Sequence, residues 1–426
     1  MKAEVLTIGD ELLRGEIVDS NKSFLSEKLL GIEVETRFHA SVNDDPADMR
    51  DAFLRAADRS EIVLVSGGLG PTRDDLTVEV LAQTFGRALV QHEPSLRRIE
   101  EFFARNQRAM SPSNAKQALV PEGCEVLPNP VGTAPGCMLD VGRAVFFCMP
   151  GVPRELYRMM EEQVLPRVAA RLGGSRGVMR AALLRTFGLG ESNLEDTLAD
   201  VGREEGVILG FRTAFPDNFL RPVARAKTAP EADAKLARAS AAIEAKLGPL
   251  VYTRGDETME SVVGRMLAER GLTLATAESC TGGLIGARLT AVAGSSRYYR
   301  GGVVAYANEA KRDLLGVSEA LLREHGAVSA PVARAMAEGA RARLGADLAL
   351  ATTGISGPDG GTPEKPVGLV WIALASKDGT EAEQMIFPFD RERHRVITAQ
   401  TALDWVRRSL LGLPRLVPRY VRGATR

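Results

Sequence analysis

The chain has 426 residues and a formal net charge of −1, from 54 basic and 55 acidic side chains. At roughly 100–200 residues per domain, this length predicts two to four domains. The balanced charge argues against direct binding of nucleic acid or a membrane surface. A 45% hydrophobic content and four cysteines exclude a disordered chain and a disulfide scaffold. Because no apolar run approaches the ~18 residues that cross a bilayer and the first residues do not form a signal peptide, we expect a cytoplasmic protein.

Residues 1–170 alternate strand-like and helix-like segments. Short apolar runs predict strands at residues 3–8, 32–39, 61–65 and 144–149. Helical periodicity predicts helices at residues 20–30, 46–59 and 75–85. Such alternation is typical of a three-layer α/β domain built on a mostly parallel sheet.

The middle segment, residues 171–254, has a different order of elements. We predict strands at residues 181–188, 207–211 and 221–226, and helices at residues 191–201 and 231–246. This order fits one small α+β domain.

Residues 255–412 return to an α/β alternation. The predicted helices lie at residues 260–270, 282–289, 331–344 and 391–410, and the predicted strands at residues 272–275, 303–306, 347–352 and 367–373. The last segment, residues 413–426, holds four arginines, two prolines and no acid. We interpret it as a basic extended tail or a packing arm.

A glycine-rich loop with two carboxylates follows the strand predicted at residues 61–65. It reads Ser-Gly-Gly-Leu-Gly-Pro-Thr-Arg-Asp-Asp over residues 66–75. Glycines after a strand let backbone N–H groups approach an anion, and the start of a helix favours negative charge. Asp74 and Asp75 would repel a phosphate unless a divalent cation lay between them, so both are candidate metal ligands. The alternative is that one of them caps the helix. The residues of this loop predicted to bind the ligand are Gly67, Gly68, Gly70 and Thr72.

Further loops follow strands at the same expected edge of the sheet. Gly9 and Asp10 follow the strand at residues 3–8, and Pro150 and Gly151 follow the strand at residues 144–149. A stretch rich in glycine and proline occupies residues 129–136. Because open α/β sheets bind ligands outside the carboxyl ends of their strands, we predict one nucleotide pocket made by these loops and the glycine-rich loop.

A second group of small polar residues follows the strand predicted at residues 272–275. Ser279, Cys280 and Thr281 are followed by Gly282 and Gly283. A nucleophile at the start of a helix gains from the backbone N–H groups and the positive end of the helix. Ser279 and Cys280 are both candidate nucleophiles, and residues 280–283 are predicted to contact the substrate. A cysteine nucleophile normally needs a histidine partner, and the nearest in sequence is at position 325.

Tyr306 and Lys311 offer a base that is not a histidine. A strand ending at Tyr306 would place its hydroxyl near the Lys311 amine. A desolvated lysine has a lowered pKa and can accept a proton from serine. We therefore predict a Ser–Lys or Ser–Tyr–Lys arrangement. The alternative is that Tyr306 is an ordinary strand aromatic and Lys311 a surface charge.

Two more segments complete the predicted second site. Thr353 and Gly354 follow the strand at residues 347–352 and begin a loop whose hydroxyls and amides suit a phosphate or an oxyanion. Arg391 and Arg395 lie near the start of the last predicted helix and are candidates for holding a phosphate. The alternative for the arginines is a solvated helix end.

The string at residues 66–75 resembles the molybdopterin-binding, MogA/MoaB-like fold, in the variant found at the N-terminus of the CinA family. Leu69 stands where the molybdopterin enzymes usually carry threonine, which argues against a molybdopterin adenylyltransferase. The resemblance implies an ADP-ribose pyrophosphatase that uses a divalent metal ion of the Mg, Mn or Co class. In such an enzyme water attacks a phosphoanhydride of ADP-ribose.

Residues 256–410 resemble the C-terminal domain of the same family, which also occurs as a free-standing nicotinamide mononucleotide deamidase. The matching strings are Thr-Ala-Glu-Ser-Cys-Thr-Gly-Gly, Ala-Gly-Ser-Ser, Tyr-Ala-Asn-Glu-Ala-Lys, His-Gly-Ala-Val-Ser and Thr-Gly-Ile-Ser-Gly-Pro-Asp-Gly-Gly. The resemblance implies Ser279 as the nucleophile, with Lys311 and Tyr306 as its partners and no cofactor. The other implied residues are the supporting hydroxyls of Ser296 and Thr353 and an arginine at Arg391 or Arg395.

The middle segment resembles a KH-like module. An RNA-binding KH domain needs a Gly-x-x-Gly loop between two helices, whereas Gly174-Ser175-Arg176-Gly177 precedes the first predicted strand. We therefore expect no nucleic-acid binding. The resemblance as a whole implies a homodimeric, bifunctional enzyme of pyridine-nucleotide salvage that acts on nicotinamide mononucleotide and ADP-ribose. Two other interpretations stay open: an adaptor in competence or recombination, and an N-terminal domain that senses a nucleotide without turnover.

Overall fold

The computed structural model describes residues 1–172, 178–203 and 206–418. The chain divides into two compact units. Unit 1 comprises Met1–Arg180 with Arg225–Ala232, and unit 2 comprises Ala181–Ala224 with Asp233–Arg426. Unit 2 therefore combines most of the middle segment with the C-terminal segment.

Unit 1 contains a six-stranded sheet with helices on both faces. The strands of unit 1 are β1 (Lys2–Ile8), β2 (Glu35–Val42), β3 (Ile62–Ser66), β4 (Leu89–Gln91), β5 (Leu119–Pro121), β6 (Glu125–Leu127), β7 (Gly136–Val141) and β8 (Ala144–Met149). Strands β4 and β5 pair with each other in a separate two-stranded sheet. Its helices are α1 (Asp10–Leu13), α2 (Ser20–Gly31), α3 (Pro46–Arg59), α4 (Thr77–Thr84), α5 (Glu93–Arg105), α6 (Pro153–Met159) and α7 (Leu165–Leu172), with a 3-10 turn at Pro112–Ala118.

The sheet order is β2-β1-β3-β8-β7-β6. The first four strands in this order run parallel, and β7 and β6 are antiparallel additions. All residues of β3 and β8 are buried, because helices cover both faces of the sheet. One face packs on α3 and α4 and the other on α2 and α6, as two separate apolar cores. The predicted three-layer, mostly parallel α/β domain is confirmed.

Several boundaries in unit 1 differ from the prediction. The strand predicted at residues 32–39 is β2 and begins three residues later, and the helix predicted at residues 75–85 begins at Thr77. Asp74 and Asp75 therefore belong to the loop and not to the helix. The strands β4, β5 and β6 were not predicted, because three residues are too few to show a periodicity. The strand β7 and the helices α5, α6 and α7 were not predicted either.

The middle segment forms a small antiparallel sheet with two helices. Its elements are β9 (Val178–Ala181), β10 (Leu184–Thr186), α8 (Glu191–Leu198), β11 (Ile208–Ala214), β12 (Asp217–Ala226), α9 (Ala229–Leu247) and β13 (Val251–Arg254). Strands pair in the order β11-β12-β10-β13. The predicted α+β character is confirmed, while the Gly-x-x-Gly spacing at residues 174–177 lies outside the described residues.

The C-terminal segment forms a five-stranded sheet in the order β15-β14-β16-β17-β18. Its strands are β14 (Leu274–Glu278), β15 (Tyr299–Val304), β16 (Leu348–Gly354), β17 (Leu369–Ser376) and β18 (Gly379–Ile386). Its helices are α10 (Met259–Arg270), α11 (Leu284–Thr290), α12 (Asn308–Leu315), α13 (Glu319–His325), α14 (Ala330–Leu344) and α15 (Arg391–Leu410). The central strand β14 is parallel to β15 and β16, whereas β17 and β18 continue the sheet antiparallel.

The end of the chain packs within unit 2 as far as residue 418. The indole Nε1 of Trp405 donates to the carbonyl of Leu416 (3.3 Å), and Arg408 donates to the carbonyl of Pro414 (3.1 Å). Leu416 fills the space beside Gly188, where an added Cβ would lie 2.2 Å from the leucine Cδ2. The packing-arm interpretation therefore holds for the described part of this tail. No helix in the described part of the chain is both long and apolar enough to span a bilayer.

A buried polar contact joins the middle and C-terminal segments of unit 2. Asp217 accepts hydrogen bonds from the hydroxyl of Tyr252 (2.8 Å) and from Nε2 of Gln400 (2.5 Å). Burial raises the pKa of Asp217 to about 6, against the opposing Tyr252 hydrogen bond and the positive charges of Arg288 and Arg185.

This contact predicts a pH dependence of the stability of unit 2. A carboxyl group whose pKa is higher in the folded than in the unfolded state stabilises the fold fully below its unfolded pKa of about 4. That contribution is lost as the pH rises through about 6. We expect the wild-type free energy of unfolding to fall by on the order of 2 kcal/mol from this source between pH 4 and 7.

The prediction is checked by urea unfolding of Asp217→Asn, followed by the fluorescence of Trp371 and Trp405, which both lie in unit 2. The asparagine variant should show a flatter pH profile than the wild type. Asp378→Asn, in the exposed turn before β18, is the control and should leave the profile unchanged. Equal pH slopes for wild type and Asp217→Asn would contradict the assignment.

Candidate active sites

The first candidate site lies at the carboxyl edge of the unit 1 sheet, where the loops after β1, β3 and β8 meet. They line a cleft of about 530 Å³, which we call the acidic cleft. The N–H of Gly67 donates to the carbonyl of Met149 (3.1 Å) and ties two of the loops together. Gly67 has φ 110°, and a Cβ there would lie 2.2 Å from the Ile8 carbonyl oxygen, so only glycine fits. The predicted residues that line the cleft are Gly9, Gly67, Gly68, Gly70, Asp74, Asp75, Pro150 and Gly151.

The two predicted metal ligands have different surroundings. Asp75 accepts a hydrogen bond from the Thr72 N–H (2.8 Å) and another from the Thr72 hydroxyl, so its carboxylate closes the glycine loop. Asp74 is exposed, and hydrogen bonding by Thr72 together with the charge of Lys116 lowers the pKa of Asp74. Asp75 and Thr72 are thus engaged with each other, and Asp74 is the freer carboxylate.

Other carboxylates reach the same cleft without having been predicted. Glu11, Asp44 and Glu155 line it. Burial, together with the negative charges of Asp10, Glu11 and Asp74, raises the pKa of Asp44. Asp44 was not predicted because the strand β2 was predicted to end at residue 39. The strand ends at Val42, so Asp44 follows its carboxyl end at this edge of the sheet.

The donor set of the cleft fits a hard divalent cation. Carboxylate oxygens are the ligands that Mg²⁺ and similar ions prefer, and the mutual repulsion around Asp44 is what such an ion relieves. Within residues 1–172, 178–203 and 206–418, no group of three or more Asp, Glu, His or Cys side chains lies close enough together to hold a metal ion by itself. Ligand phosphates would have to complete the coordination of an ion held here.

Asp10 lies beside the acidic cleft and not in its lining. Its backbone N–H donates to the Asp44 carboxylate (3.0 Å), and its own carboxylate forms an ion pair with Arg14 (2.5 Å). The structure therefore uses Asp10 to hold the loop after β2 close to the loop after β1.

The second candidate site begins at Ser279, directly after β14. Its backbone N–H donates to the carbonyl of Thr352 (2.9 Å) on β16, and its carbonyl accepts from the N–H of Gly282 (3.1 Å). Gly282 and Gly283 have φ 61° and 89°, which allows a sharp turn before α11 begins at Leu284. The helix predicted from residue 282 thus starts two residues later. The Gly282 N–H serves this turn and not an oxyanion.

Lys311 lies buried on α12, with 1% of its surface exposed. Its Nζ donates to the carbonyls of Ala305 (2.9 Å) and Tyr306 (3.1 Å). Burial lowers the pKa of Lys311, although the nearby Cys280 acts in the opposite direction. The alternative of a surface lysine is therefore wrong, and a buried amine with a lowered pKa is a suitable base.

Tyr306 and the arginines of α15 surround the same turn. Tyr306 lies two residues beyond β15 and not at its end, and 61% of its side chain is exposed. Its hydroxyl accepts from Arg391 (2.9 Å), whose other nitrogen donates to the carbonyl of Gly357 (2.9 Å). Lys311 contacts the carbonyl of Tyr306 and not its hydroxyl. The predicted contact between the Tyr306 hydroxyl and the Lys311 amine is therefore wrong, and the hydroxyl is bound by Arg391 instead.

Arg395 and two threonines fix the turn from the other side. Arg395 donates through Nε (3.2 Å) and Nη2 (2.9 Å) to the carbonyl of Thr281. The hydroxyls of Thr281 and Thr352 are 2.8 Å apart, and that of Thr353 donates to Ala327 (2.8 Å). Gly354 ends β16 in contact with β17. Of the two predicted arginines, Arg395 contacts the turn, whereas Arg391 contacts Gly357 and Tyr306; both are engaged by protein groups.

Both candidate nucleophiles are buried, and they differ in the acidity that each needs in order to react. Burial raises the pKa of Cys280 to about 12, so this thiol stays protonated near neutral pH. Cys280 also belongs to the main apolar core of unit 2. A thiolate is the reactive form of cysteine, and Ser279 is therefore the better candidate.

His394 is a functional neighbour that the sequence analysis did not single out. Its ring contacts the Ser356 hydroxyl through Nδ1 (2.9 Å) and the Gly368 carbonyl through Nε2 (3.1 Å). Because a carbonyl only accepts, Nε2 carries the proton and Nδ1 accepts from Ser356. Burial lowers the pKa of His394, which keeps the ring neutral. His394 therefore anchors the loop after β16. His325, the histidine considered from the sequence as a partner for a cysteine nucleophile, ends α13 beside Glu324.

Ser296 is not brought to Ser279 within the chain. Strands β14 and β15 are parallel, with Leu274 opposite Tyr299. Ser279 follows the carboxyl end of β14, while Ser296 is exposed in the turn before β15, at the amino end of the sheet. A five-residue strand separates the two edges by about 16 Å at about 3.3 Å per residue.

Glu278 holds the turn that carries Ser279. Its buried carboxylate accepts hydrogen bonds from the N–H groups of Ile285 (3.0 Å) and Gly286 (2.8 Å), in the first turn of α11. Its backbone carbonyl accepts from Ala305 (2.8 Å). A carboxylate is favourable there because the first N–H groups of a helix lack partners within it. An acid at the end of an otherwise apolar strand was the signal available in the sequence.

The comparisons with known proteins cover the chain in three consecutive parts. Residues 4–170 match the family described as "Probable molybdopterin binding domain", and residues 182–253 match the "Damage-inducible protein CinA KH domain". Residues 256–410 match the "CinA C-terminal domain".

Proteins similar over their full length carry the same description. The CinA-like protein of Geobacter sulfurreducens is 45% identical over 412 residues, covering 96% of this chain and 100% of that protein. The CinA-like protein of Anaeromyxobacter is 46% identical over 413 residues, covering 96% and 99%. The solved structure of CinA from Thermoplasma acidophilum is 35% identical and covers 39% of this chain and 97% of that one, with a TM-score of 0.37.

The contacts of Glu278 predict a loss of stability in Glu278→Gln. The amide would turn an N–H donor toward one of the two helix N–H groups, at a cost of about 1–3 kcal/mol in the free energy of unfolding. Urea unfolding followed by tryptophan fluorescence measures this cost. Glu309→Gln, an exposed acid in the first turn of α12, is the matched control. Equal stability of both variants would show that the buried carboxylate does not hold the turn.

Proposed function

The chain belongs to the CinA family, and on that basis we propose that it is a hydrolase with two separate nucleotide sites. In the C-terminal segment it would convert nicotinamide mononucleotide to nicotinic acid mononucleotide and ammonia. The observation that carries this proposal is the buried Lys311 amine, with its lowered pKa, close to Cys280 in the turn that also carries the buried Ser279.

The proposed amide hydrolysis uses residues of this chain only. Lys311 takes the hydroxyl proton of Ser279, and the serine oxygen attacks the carboxamide carbon. The carbon–nitrogen bond breaks, and ammonia leaves with the proton from Lys311. Lys311 then takes a proton from water, and the hydroxide attacks the acyl-enzyme. The ester bond to Ser279 breaks, Lys311 returns its proton to the serine oxygen, and the acid product gives its proton to solvent and leaves as a carboxylate.

Other residues near the turn would orient the substrate in this proposal. Because the Gly282 N–H is engaged by Ser279, the N–H groups of Cys280, Thr281 and Gly283 are the candidates for stabilising the oxyanion. Arg391 holds the exposed Tyr306 ring at the rim, where both can contact the nucleotide. The homodimer implied by the family resemblance stays a prediction.

For the acidic cleft we propose metal-dependent hydrolysis of ADP-ribose to AMP and ribose 5-phosphate. A divalent cation would neutralise the charge that develops on the phosphates. Asp74 and Asp44 would hold such an ion, with Asp75 shaping the loop. The glycine loop would approach the phosphates closely with its backbone N–H groups. The support for this proposal is the convergence of oxygen donors and glycines in one cleft.

The first test is ammonia release from nicotinamide mononucleotide by purified protein with a chelator present. Wild type should be active, and Ser279→Ala should lose about 1000-fold or more in kcat, because no other group replaces the nucleophile. Cys280→Ser is the adjacent control and should retain activity within about tenfold, since its thiol is protonated. Activity that survives in Ser279→Ala, or a wild type without ammonia release, overturns the amidase proposal.

The second test is AMP release from ADP-ribose as a function of Mn²⁺ concentration. Asp74→Asn should require at least about tenfold more Mn²⁺ for half-maximal rate, because it removes a free carboxylate. Asp75→Asn is the matched variant: it should lower the rate without changing the Mn²⁺ requirement, since Asp75 is engaged by Thr72. A chelator should abolish AMP release. The reverse ranking of the two variants would contradict the assigned roles.

A further inference from the structure

Gln117 has a buried oxygen without a partner. It belongs to the 3-10 turn Pro112–Ala118, lines the acidic cleft and is 8% exposed. Its Nε2 donates to the carbonyl of Leu69 at 3.4 Å. Its Oε1 meets no hydrogen-bond donor anywhere in the described parts of the chain. Buried side-chain oxygens nearly always have a donor, so this one calls for an explanation.

The orientation of the Gln117 amide follows from its neighbour. The carbonyl of Leu69 can only accept a hydrogen bond, so the nitrogen of the amide must face it. Turning the amide over would place two acceptors against each other. The unpartnered atom is therefore the oxygen, and its donor would come from a bound ligand or water.

The turn that carries Gln117 is built against the glycine loop. Lys116 donates from Nζ to the carbonyl of Thr72 (3.1 Å), and Gln117 donates to the carbonyl of Leu69, so two neighbouring residues hold the middle of this loop. Gly68 and Gly70 line the cavity on either side of Leu69. A ligand whose phosphates approach the glycine loop thus has another of its groups within reach of Gln117.

The chemistry of an acceptor restricts what that group can be. A phosphate or carboxylate oxygen accepts hydrogen bonds and would be repelled by Oε1, whereas a sugar hydroxyl or an exocyclic amine donates. The site therefore suits a molecule with phosphates at one end and such a donor at the other. Nucleotides have this composition, with hydroxyls on the ribose and an amine on adenine.

We propose that Gln117 is a specificity-determining residue of the acidic cleft, whose Oε1 accepts a hydrogen bond from the ribose hydroxyl or the exocyclic amine of a bound nucleotide. This inference rests on the nucleotide site proposed above and adds to it the residue that selects the ligand. It requires binding only and makes no use of turnover.

The test is calorimetric titration with three probes in the presence of Mg²⁺. AMP carries both donors, IMP lacks the amine, and 2′,3′-dideoxyadenosine monophosphate lacks the hydroxyls. Gln117→Met keeps the size of the side chain and removes the oxygen, and it should bind AMP roughly 5- to 10-fold more weakly than wild type. Gln83→Met, at an exposed glutamine on α4, is the control and should bind AMP as wild type does.

The probes distinguish the two donor groups. If the exocyclic amine donates to Gln117 Oε1, wild type binds IMP as weakly as Gln117→Met binds AMP. If a ribose hydroxyl donates to Gln117 Oε1, wild type binds the dideoxy compound with that reduced affinity instead. Gln117→Asn, which withdraws the amide by one methylene, should reproduce the effect should Gln117→Met fail to fold.

Unchanged affinities of the folded variants for all three probes would overturn the inference, as would a wild type that binds none of them. AMP affinity that depends on Gln117, in a protein that does not hydrolyse ADP-ribose, supports the inference and overturns only the pyrophosphatase activity. The failure of one proposal is thus separate from the failure of the other.

Discussion

Parallel pairing of the central strands is the constraint on which both candidate sites depend. In unit 1, β1, β3 and β8 run side by side in one direction, and in unit 2 β14 lies between two parallel neighbours. Parallel strands deliver every following loop to the same edge, where backbone groups no longer paired in the sheet are available. Residues far apart in the sequence, such as Gly67 and Pro150, therefore line one cleft.

The two candidate sites differ in the arrangement of their ionisable side chains. The acidic cleft collects carboxylates that repel one another, and its electrostatics favour a ligand that brings positive charge or a cation with it. The Ser279 turn instead buries single charges among hydrogen-bond partners: Lys311 against two carbonyls and Glu278 against two helix N–H groups. Burial makes the Lys311 ammonium costly to keep and lowers the pKa of this amine, which is the property of a base.

Several conspicuous side chains position other residues and do not face an open site. Asp75 closes the glycine loop through Thr72, and His394 anchors the loop after β16 through Ser356. These residues are polar and lie within or beside the sequence motifs, so the sequence cannot separate them from ligand-binding residues. Which atom each side chain contacts decides between the two roles, and that is a property of the packed structure.

The element pattern could be predicted well where periodicity is long and less well elsewhere. The helix predicted over residues 391–410 matches α15 at both ends, since Asp390 caps its first turn and Gly412 follows its end. The short strands β4, β5 and β6 left no such signal. One boundary error mattered for the site: β2 ends three residues later than predicted, and Asp44, two residues beyond it, was therefore not predicted at the cleft.

By itself, the sequence determined the α/β architecture and the positions of both glycine-containing motifs, because strand and helix periods and glycine turns are local properties. Only the tertiary structure decided that Lys311 is buried, that Cys280 is protonated, and that Ser296 lies at the far edge from Ser279. It also revealed the unpaired oxygen of Gln117. Burial, pKa and hydrogen-bond satisfaction depend on groups brought together from distant parts of the chain, so no local pattern records them.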